Sequence, residues 1–410
     1  IAVAWRISQE SFMEETKDYL DDLKIRASWG QTGNANGLGL YPSYTLVSTG
    51  GLILNNSYQQ MAQLKTIGNQ ALSWERSEMF NVGVDAKLLN SRLNFTGEYY
   101  VKNTKDILLA VPVPLEYGFG KPNMNIGQVR NKGWELSLGW NDRINDFGYS
   151  ISANLSDNRN EVVDLGDTGP WKSSTTYTEV GLPFNSIYGY ESMGLFQSDE
   201  EVAEAPFQNS KTGAGDIRYK NQNGDDKIDA NDRVVLGDPN PHFLYGLNLS
   251  FDYKNFDLGI FFQGIGQQDR IVKDNFIRPL YDATFFEHQL DYWSPSNTDA
   301  KYPRLINDYA TSSYANNYQH SSDRNIYNAA YLRLKNLQIG YTIPETITRK
   351  IGMSKVRVYA TGQNLLTITK NKFIDPESSE FGNSMNAGGA NSGRNYPTLK
   401  YYGGGIEIVF

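Results

Sequence analysis

Between Asn221 and Asp232 the sequence reads Asn-Gln-Asn-Gly-Asp-Asp-Lys-Ile-Asp-Ala-Asn-Asp, the sharpest chemical signal in its 410 residues. Side-chain oxygens stand at positions 1, 3, 5, 9 and 12 of this run (Asn221, Asn223, Asp225, Asp229, Asp232), and the Lys227 carbonyl stands at position 7. Hard oxygens in that order, with apolar Ile228 at position 8, have the spacing of a calcium loop, so Ca2+ is one expected ligand. Two residues weaken the match. Asp226 takes the sixth position, where glycine usually makes the sharp turn, and Asn221 replaces the usual leading aspartate. Aspartate tolerates left-handed backbone better than most residues, so the second reading, an Asx-rich turn that needs no ion, stays open beside the first.

Other chemistry is harder to find. There is no G-x-S-x-G elbow, no H-E-x-x-H and no phosphate-cradling glycine loop, so nothing points to an enzyme. His242, His288 and His320 have no ligand spacing and read as surface residues in loops or at a strand start. Cysteine is absent, which excludes disulfides, thiolate metal sites and cysteine nucleophiles. Aromatics in the segments between strands are the remaining candidates, with Tyr44, Trp171, Tyr281, Trp293 and Tyr314 foremost. An exposed ring beside Asn, Gln and Asp can stack on the C–H face of a sugar, and it equally suits a protein interface.

These residues must be positioned by strands, because period-two alternation dominates the chain. Leu23, Ile25, Ala27 and Trp29 alternate with polar neighbours. So do Trp134, Leu136, Leu138 and Trp140, and again Tyr245, Leu247, Leu249, Phe251 and Tyr253. The pattern predicts ten strands, near 22–30, 77–88, 92–108, 129–142, 147–162, 243–255, 256–270, 329–343, 355–368 and 397–410. Long connections (about 31–76, 109–128, 163–242, 271–328 and 371–396) alternate with short ones (about 89–91, 143–146, 254–256 and 344–354). Placing every long loop at one end is the habit of an outer-membrane β-barrel, with short periplasmic turns and long extracellular loops. Ten strands would put both chain ends on the short-turn side. Aromatics near strand ends (Tyr99, Tyr100, Trp140, Tyr253, Tyr341, Tyr401 and Tyr402) suit girdles at the two membrane interfaces.

Composition agrees once that architecture is in view. Mean hydropathy is −0.52, and the longest apolar runs, such as Ile107 to Val113, end after about seven residues, well short of the ~18 a spanning helix needs. A barrel can average out polar because half of each strand faces a wet lumen. The net charge of −8 (38 basic, 46 acidic residues) with dispersed cations argues against nucleic acid as a partner. The chain begins at Ile1 without Met or a signal peptide, which points to the C-terminal part of something longer.

Stretches spread over the chain resemble the SusC/RagA-type TonB-dependent outer-membrane transporters of the Bacteroidetes. They include Arg26 to Asn34 (RASWGQTGN), Asn81 to Asp85 (NVGVD), Tyr100 to Thr104 (YVKNT) and Asn125 to Glu135 (NIGQVRNKGWE). Leu23-Lys24, Trp74-Glu75, Tyr292 to Pro295 (YWSP), Tyr331 to Pro344 (YLRLKNLQIGYTIP), Gln363 to Leu365 and Asp375 to Glu377 (DPE) complete the set. No single stretch is diagnostic; their joint order is the match. The resemblance implies an all-β, antiparallel transmembrane barrel of 22 strands, of which residues 1–410 supply about the last ten, without the plug and earlier strands. Such a piece should need the remaining barrel for stability. The resemblance also implies a multi-pass location in the bacterial outer membrane, among lipid and lipopolysaccharide. As partners it implies a SusD-like surface lipoprotein as lid and the TonB–ExbB–ExbD complex as energy source. The expected activity is glycan import. Peptide import, or a surface glycan-binding β-protein without transport, are the alternatives.

Overall fold

The computed structural model describes residues 1–36, 41–110, 116, 118, 122–279, 285–377 and 396–410. Eleven strands form one antiparallel sheet, each paired with the next. They are β1 (Ala2–Arg6), β2 (Leu20–Asn34), β3 (Glu75–Leu88), β4 (Leu93–Ala110), β5 (Asn123–Ile144) and β6 (Phe147–Asp164). Then come β7 (His242–Tyr253), β8 (Phe256–Gln267), β9 (Tyr331–Ile343), β10 (Lys355–Thr369) and β11 (Tyr401–Val409). Among the described residues the sheet does not close: β1 and β11 are its edges. It has one strand more than the ten expected. Ala2–Arg6, paired with Ser28–Lys24, is too short for alternation to distinguish it from a chance pattern. Its presence means that the chain enters the wall running toward the short turns. The expectation that both ends lie on the short-turn side therefore fails at Ile1.

At the short-turn end the connections are tight. Asn145 and Lys254 begin two-residue turns with φ 53° each, the left-handed geometry whose twist matches a hairpin. Glu345–Thr348 and the segments Ile7–Gln9 and Ser11–Thr16 add only short helical turns there.

Register separates the two faces of the wall. One row of partners across six strands reads Leu23, Ala86, Phe95, Leu138, Ala153 and Leu247. Nearer the short turns another row reads Phe147, Tyr253, Phe256, Tyr341, Val358 and Ile406, an aromatic-rich belt with the Phe256 and Tyr341 rings 4.7 Å apart. Toward the long loops the same face turns polar, through Gln31, Glu78, Asn103, Arg130 and Glu161. The opposite face is charged beneath the apolar band. Lys24 meets Asp85 at 2.9 Å and Arg26 meets Glu98 at 2.6 Å. No helix among the described residues is long and apolar enough to cross a membrane. The strands cross instead, with the apolar band toward lipid and the ion-paired face toward a wet lumen.

Glycine makes some of these pairs possible. Arg26 reaches Glu98 over the intervening β3 at Gly83, where a Cβ would lie 2.7 Å from the guanidinium carbon. Arg357 reaches Asp257 over β9 at Gly340, where a Cβ would stand 2.5 Å from both partners. In each case an ion pair links alternate strands across a residue that has no side chain.

The buried hydrophobic residues gather mainly in the long connections rather than in the wall. There, four short strands (Arg233–Gly237, Ser186–Tyr190, Thr176–Thr178 and Trp171–Lys172) form a second sheet, and Ser192–Leu195 pairs with Ile217–Tyr219.

Candidate functional site

The segments 165–241, 268–279 and 285–330 interlock into one loop module over the mouth of the wall. Asp216, almost wholly buried, is its hub: the carboxylate accepts from Arg304 at 2.6 and 3.1 Å, from Asn317 Nδ2 at 2.8 Å and from Ser313 Oγ at 3.0 Å. The backbone N–H of Gly213 donates to it as well, at 3.0 Å. Around the hub pack Tyr190, Ile217 and Tyr219, with the two tyrosine rings 4.8 Å apart. Tyr219 OH donates to the Asn316 carbonyl, and burial raises the pKa of its phenol.

The Asn221–Asp232 loop sits on this core through Ile228, which packs against the Tyr190 cluster and donates its N–H to the Phe207 carbonyl at 2.9 Å. Its oxygens serve main-chain amides. Asn221 accepts from Gly224, Asn223 from Asp225, and Asp225 from Lys227, at 2.6–3.0 Å. Asp229 accepts from Asn231, and Asp232, fully buried, accepts from Gln222 and Asp229, each at 2.8 Å. The left-handed residue is Gly224 (φ 76°) rather than Asp226, so the turn falls two positions earlier than the sequence spacing suggests. The Lys227 ammonium pairs with Asp229 at 2.7 Å and holds that carboxyl below the usual range. Asp225, Asp229 and Asp232 do not gather into a group that could hold a metal ion. The donor chemistry is that of a calcium loop, whereas the geometry is that of an Asx turn.

The aromatic candidates separate. Tyr44 is exposed, with its ring 6.3 Å from that of Tyr41. Trp171 is half-buried and donates Nε1–H to the Thr168 carbonyl at 3.0 Å. Trp293 is buried and donates to Gln197 Oε1 at 3.2 Å; Tyr314 is buried between the rings of Tyr309 and Tyr318. These two pack the module and offer no open face for stacking. Tyr281 lies outside the described residues.

The histidines are not the surface residues the sequence suggested. His242 is buried between Asp157 (Nδ1, 2.7 Å) and Asp238 (Nε2, 3.1 Å). Close by, Asp269 is raised above the usual carboxylate range by burial and by the nearness of Asp238. His288 stacks on Phe373, His320 lies tilted against Tyr190 with ring centroids 5.5 Å apart, and burial lowers both imidazoles.

Two arrangements were not visible in sequence. Arg333 in β9 is buried and joins Asp375 and Glu377, each at 2.6 Å, while Lys335 meets Glu377 at 2.9 Å. The YLRLKNLQ and DPE stretches thus clamp one another, although nothing in their sequence spacing says that they meet. Burial works against ionisation of Asp375, yet amides of Glu377 and Thr398 with Arg333 hold its carboxyl below the usual range. On the lumen face, Asn131 Oδ1 accepts from Asn158 at 3.1 Å and from Asn160 at 3.0 Å, while Tyr100 OH donates to Asn158 at 3.2 Å.

Comparison with known proteins gives a consistent result. Residues 3–365 match the family described as TonB dependent receptor-like, beta-barrel. TonB-dependent receptor P26 of Formosa agariphila is 32% identical over 100% of this chain and 42% of its own length. TonB-dependent receptor SusC of Bacteroides thetaiotaomicron is 28% identical over 92% of this chain and 37% of its own length. A solved structure of the RagAB peptide transporter superposes with a TM-score of 0.78 at 26% identity, covering 99% of this chain and 43% of that one. The chain spans about two fifths of the length of the P26 receptor.

Proposed function

The chain belongs to the TonB-dependent receptor-like β-barrel family, and on that premise we propose that the whole protein imports an organic nutrient across the bacterial outer membrane. The observation that carries this reading is the eleven-strand wall itself, with its apolar band on one face and ion pairs on the other. Such a wall separates lipid from a polar passage and performs no covalent chemistry. Its unpaired edges, β1 and β11, call for further strands to complete the barrel. Energy would come from TonB–ExbB–ExbD acting on a plug that residues 1–410 do not supply.

A SusD-like surface lipoprotein is the proposed lid. The hairpin of Leu46–Leu54 and Ser57–Thr66 supports it: Val47, Ile53, Tyr58 and Leu64 share one face and are all exposed. Two strands alone are marginal in water, so a partner that covers this face would stabilise the arm. For the cargo, the name of the RagAB peptide transporter favours peptides. The burial of Trp293 and Tyr314 removes two of the rings on which the glycan reading leaned. Calcium belongs to the same proposal only as a competitor: Asp225, Asp229 and Asp232 would have to exchange amides and Lys227 for the ion.

Deleting the gene in its native host and restoring it with or without an intact TonB system tests the reading. Import predicts that uptake of the cargo returns only when both are present. Uptake unchanged by the deletion overturns it.

A further inference from the structure

We infer that a cavity in the lumen wall, just above the apolar band, holds an apolar side chain of a peptide cargo. This rests on the import reading and goes beyond it by naming what one subsite recognises. The cavity has a volume of about 360 Å³, at the lower end for ligand pockets, so it accommodates a fragment rather than a whole oligomer. Its apolar walls are Ile107 and Leu109 from β4, Val129 from β5, and Leu165 and Phe184 from the loop module. Val129 shares its row with Thr104 and Val162, on the same face as the Asn131–Asn160 pair. The wall here is therefore apolar on its lumen side at the level where its outer face has become polar. That inversion is unnecessary for spanning lipid.

Gly127 keeps the floor aliphatic: a Cβ there would stand 2.7 Å from Leu109 Cδ1 and 3.2 Å from Ile107 Cβ. Two amide groups with spare capacity flank the cavity. Asn131 spends its Oδ1 on Asn158 and Asn160, and its Nδ2 has no acceptor among the described residues. Asn240 donates Nδ2–H to Asp238 at 2.7 Å, which leaves its Oδ1 to accept. One donor and one acceptor beside an aliphatic hollow complement a peptide unit whose side chain enters the hollow. Thr104, Asn160 and Asp164 line the polar margin of the cavity, and a sugar ring seated in the hollow could pair hydroxyls there but would set those facing Ile107, Leu109 and Val129 against carbon.

The test uses the full-length receptor with its lipoprotein partner. Binding and uptake are measured for a synthetic alanine–serine peptide carrying one central leucine, for the same peptide with serine there, and for a neutral oligoglucose. The inference predicts a preference of about tenfold or more for the leucine peptide. The double variant Leu109→Ser/Val129→Ser should remove that preference, bringing binding of the leucine peptide down to the level of the serine peptide. Thr104→Val, close to isosteric, should strengthen the preference, and it guards against a double variant that fails to fold. Equal loss of both peptides in the double variant, or no leucine preference in the parent, overturns the inference. Uptake of oligoglucose without either peptide overturns it while leaving import intact. Absence of uptake for every cargo, in cells whose growth does not depend on the gene, removes the import reading and this subsite together.

Discussion

Leu138 in β5 and Ile217 in the loop module are both aliphatic residues in strands, yet Leu138 is 48% exposed and Ile217 2%. The wall leaves its apolar side chains bare on one face and binds its strands by backbone ladders and lumen-side ion pairs. The module does the reverse: it covers Tyr190, Ile217, Tyr219, Tyr314 and Tyr318 and folds them around a buried carboxylate. Each region suits its solvent. Lipid solvates the wall's apolar face and makes a core there unnecessary, whereas segments that project into water must build one. The two should therefore fail separately, and substitutions can break that separation or sharpen it.

The largest effect is expected at the hub. Asp216→Ala strips Arg304, Ser313 and Asn317 of their shared acceptor and should cost the module about 3–5 kcal/mol, as breaking a buried pair does. Limited proteolysis of the assembled receptor should show cleavage within 165–241 and 268–330 while the barrel remains intact. Loss of the barrel as well would show that the two regions form one cooperative unit.

The wall should respond to the opposite kind of change. Leu138→Arg places charge on the lipid face and should cost about 2–4 kcal/mol in refolding into bilayers. Ser137→Arg, one residue along and on the lumen side, should cost little. Equal penalties would contradict the assignment of faces.

Acid should distinguish the regions next. Burial holds the His320 and His288 imidazoles below their ordinary value of about 6.5, so the folded module binds fewer protons than the unfolded chain. Their stabilising contribution is complete above that value and is lost as pH falls through the lowered folded values, by at most about 1.4 kcal/mol per pH unit per group. The Asp375 carboxyl, also lowered, gives way at a still lower pH, below the ordinary carboxylate range. Hydrogen exchange should show loop amides losing protection as pH drops from 7 to 5 while wall amides hold. Parallel losses would refute the separation.

The smallest expected effect belongs to the Asx loop. If calcium competes for Asp225, Asp229 and Asp232, ion at ten times its dissociation constant should add about 1.4 kcal/mol to the module. Protection of residues 221–232 would then rise relative to chelator. No change would leave the Asx turn as the loop's complete description.

The same contrast explains what could be read from sequence. Strands in the wall announce themselves because one face meets lipid and the other water: the expected 147–162 and 355–368 became Phe147–Asp164 and Lys355–Thr369. Ala2–Arg6 escaped because five residues carry too little pattern. The module was opaque for a different reason. A tyrosine in a loop has the same letter whether buried, as Tyr314 is, or exposed, as Tyr44 is, and only tertiary contact decides. Asp216 was one acid among 46, and its partner Arg304 lies 88 residues away. The calcium spacing was legible, but the lysine that pairs inside it and the position of the left-handed turn were not.

The central claim is that alternate residues of one strand touch lipid and water. The 410 residues contain no cysteine, so single cysteines can be placed from Gly133 to Trp140 in the full-length receptor, freed of any cysteines elsewhere and reconstituted in bilayers. Spin labels at positions 134, 136, 138 and 140 should be relaxed by lipid-soluble oxygen. Labels at 133, 135, 137 and 139 should respond to a water-soluble reagent. Accessibility without that period of two, or with water reaching Leu136 and Leu138, would contradict the barrel wall described here.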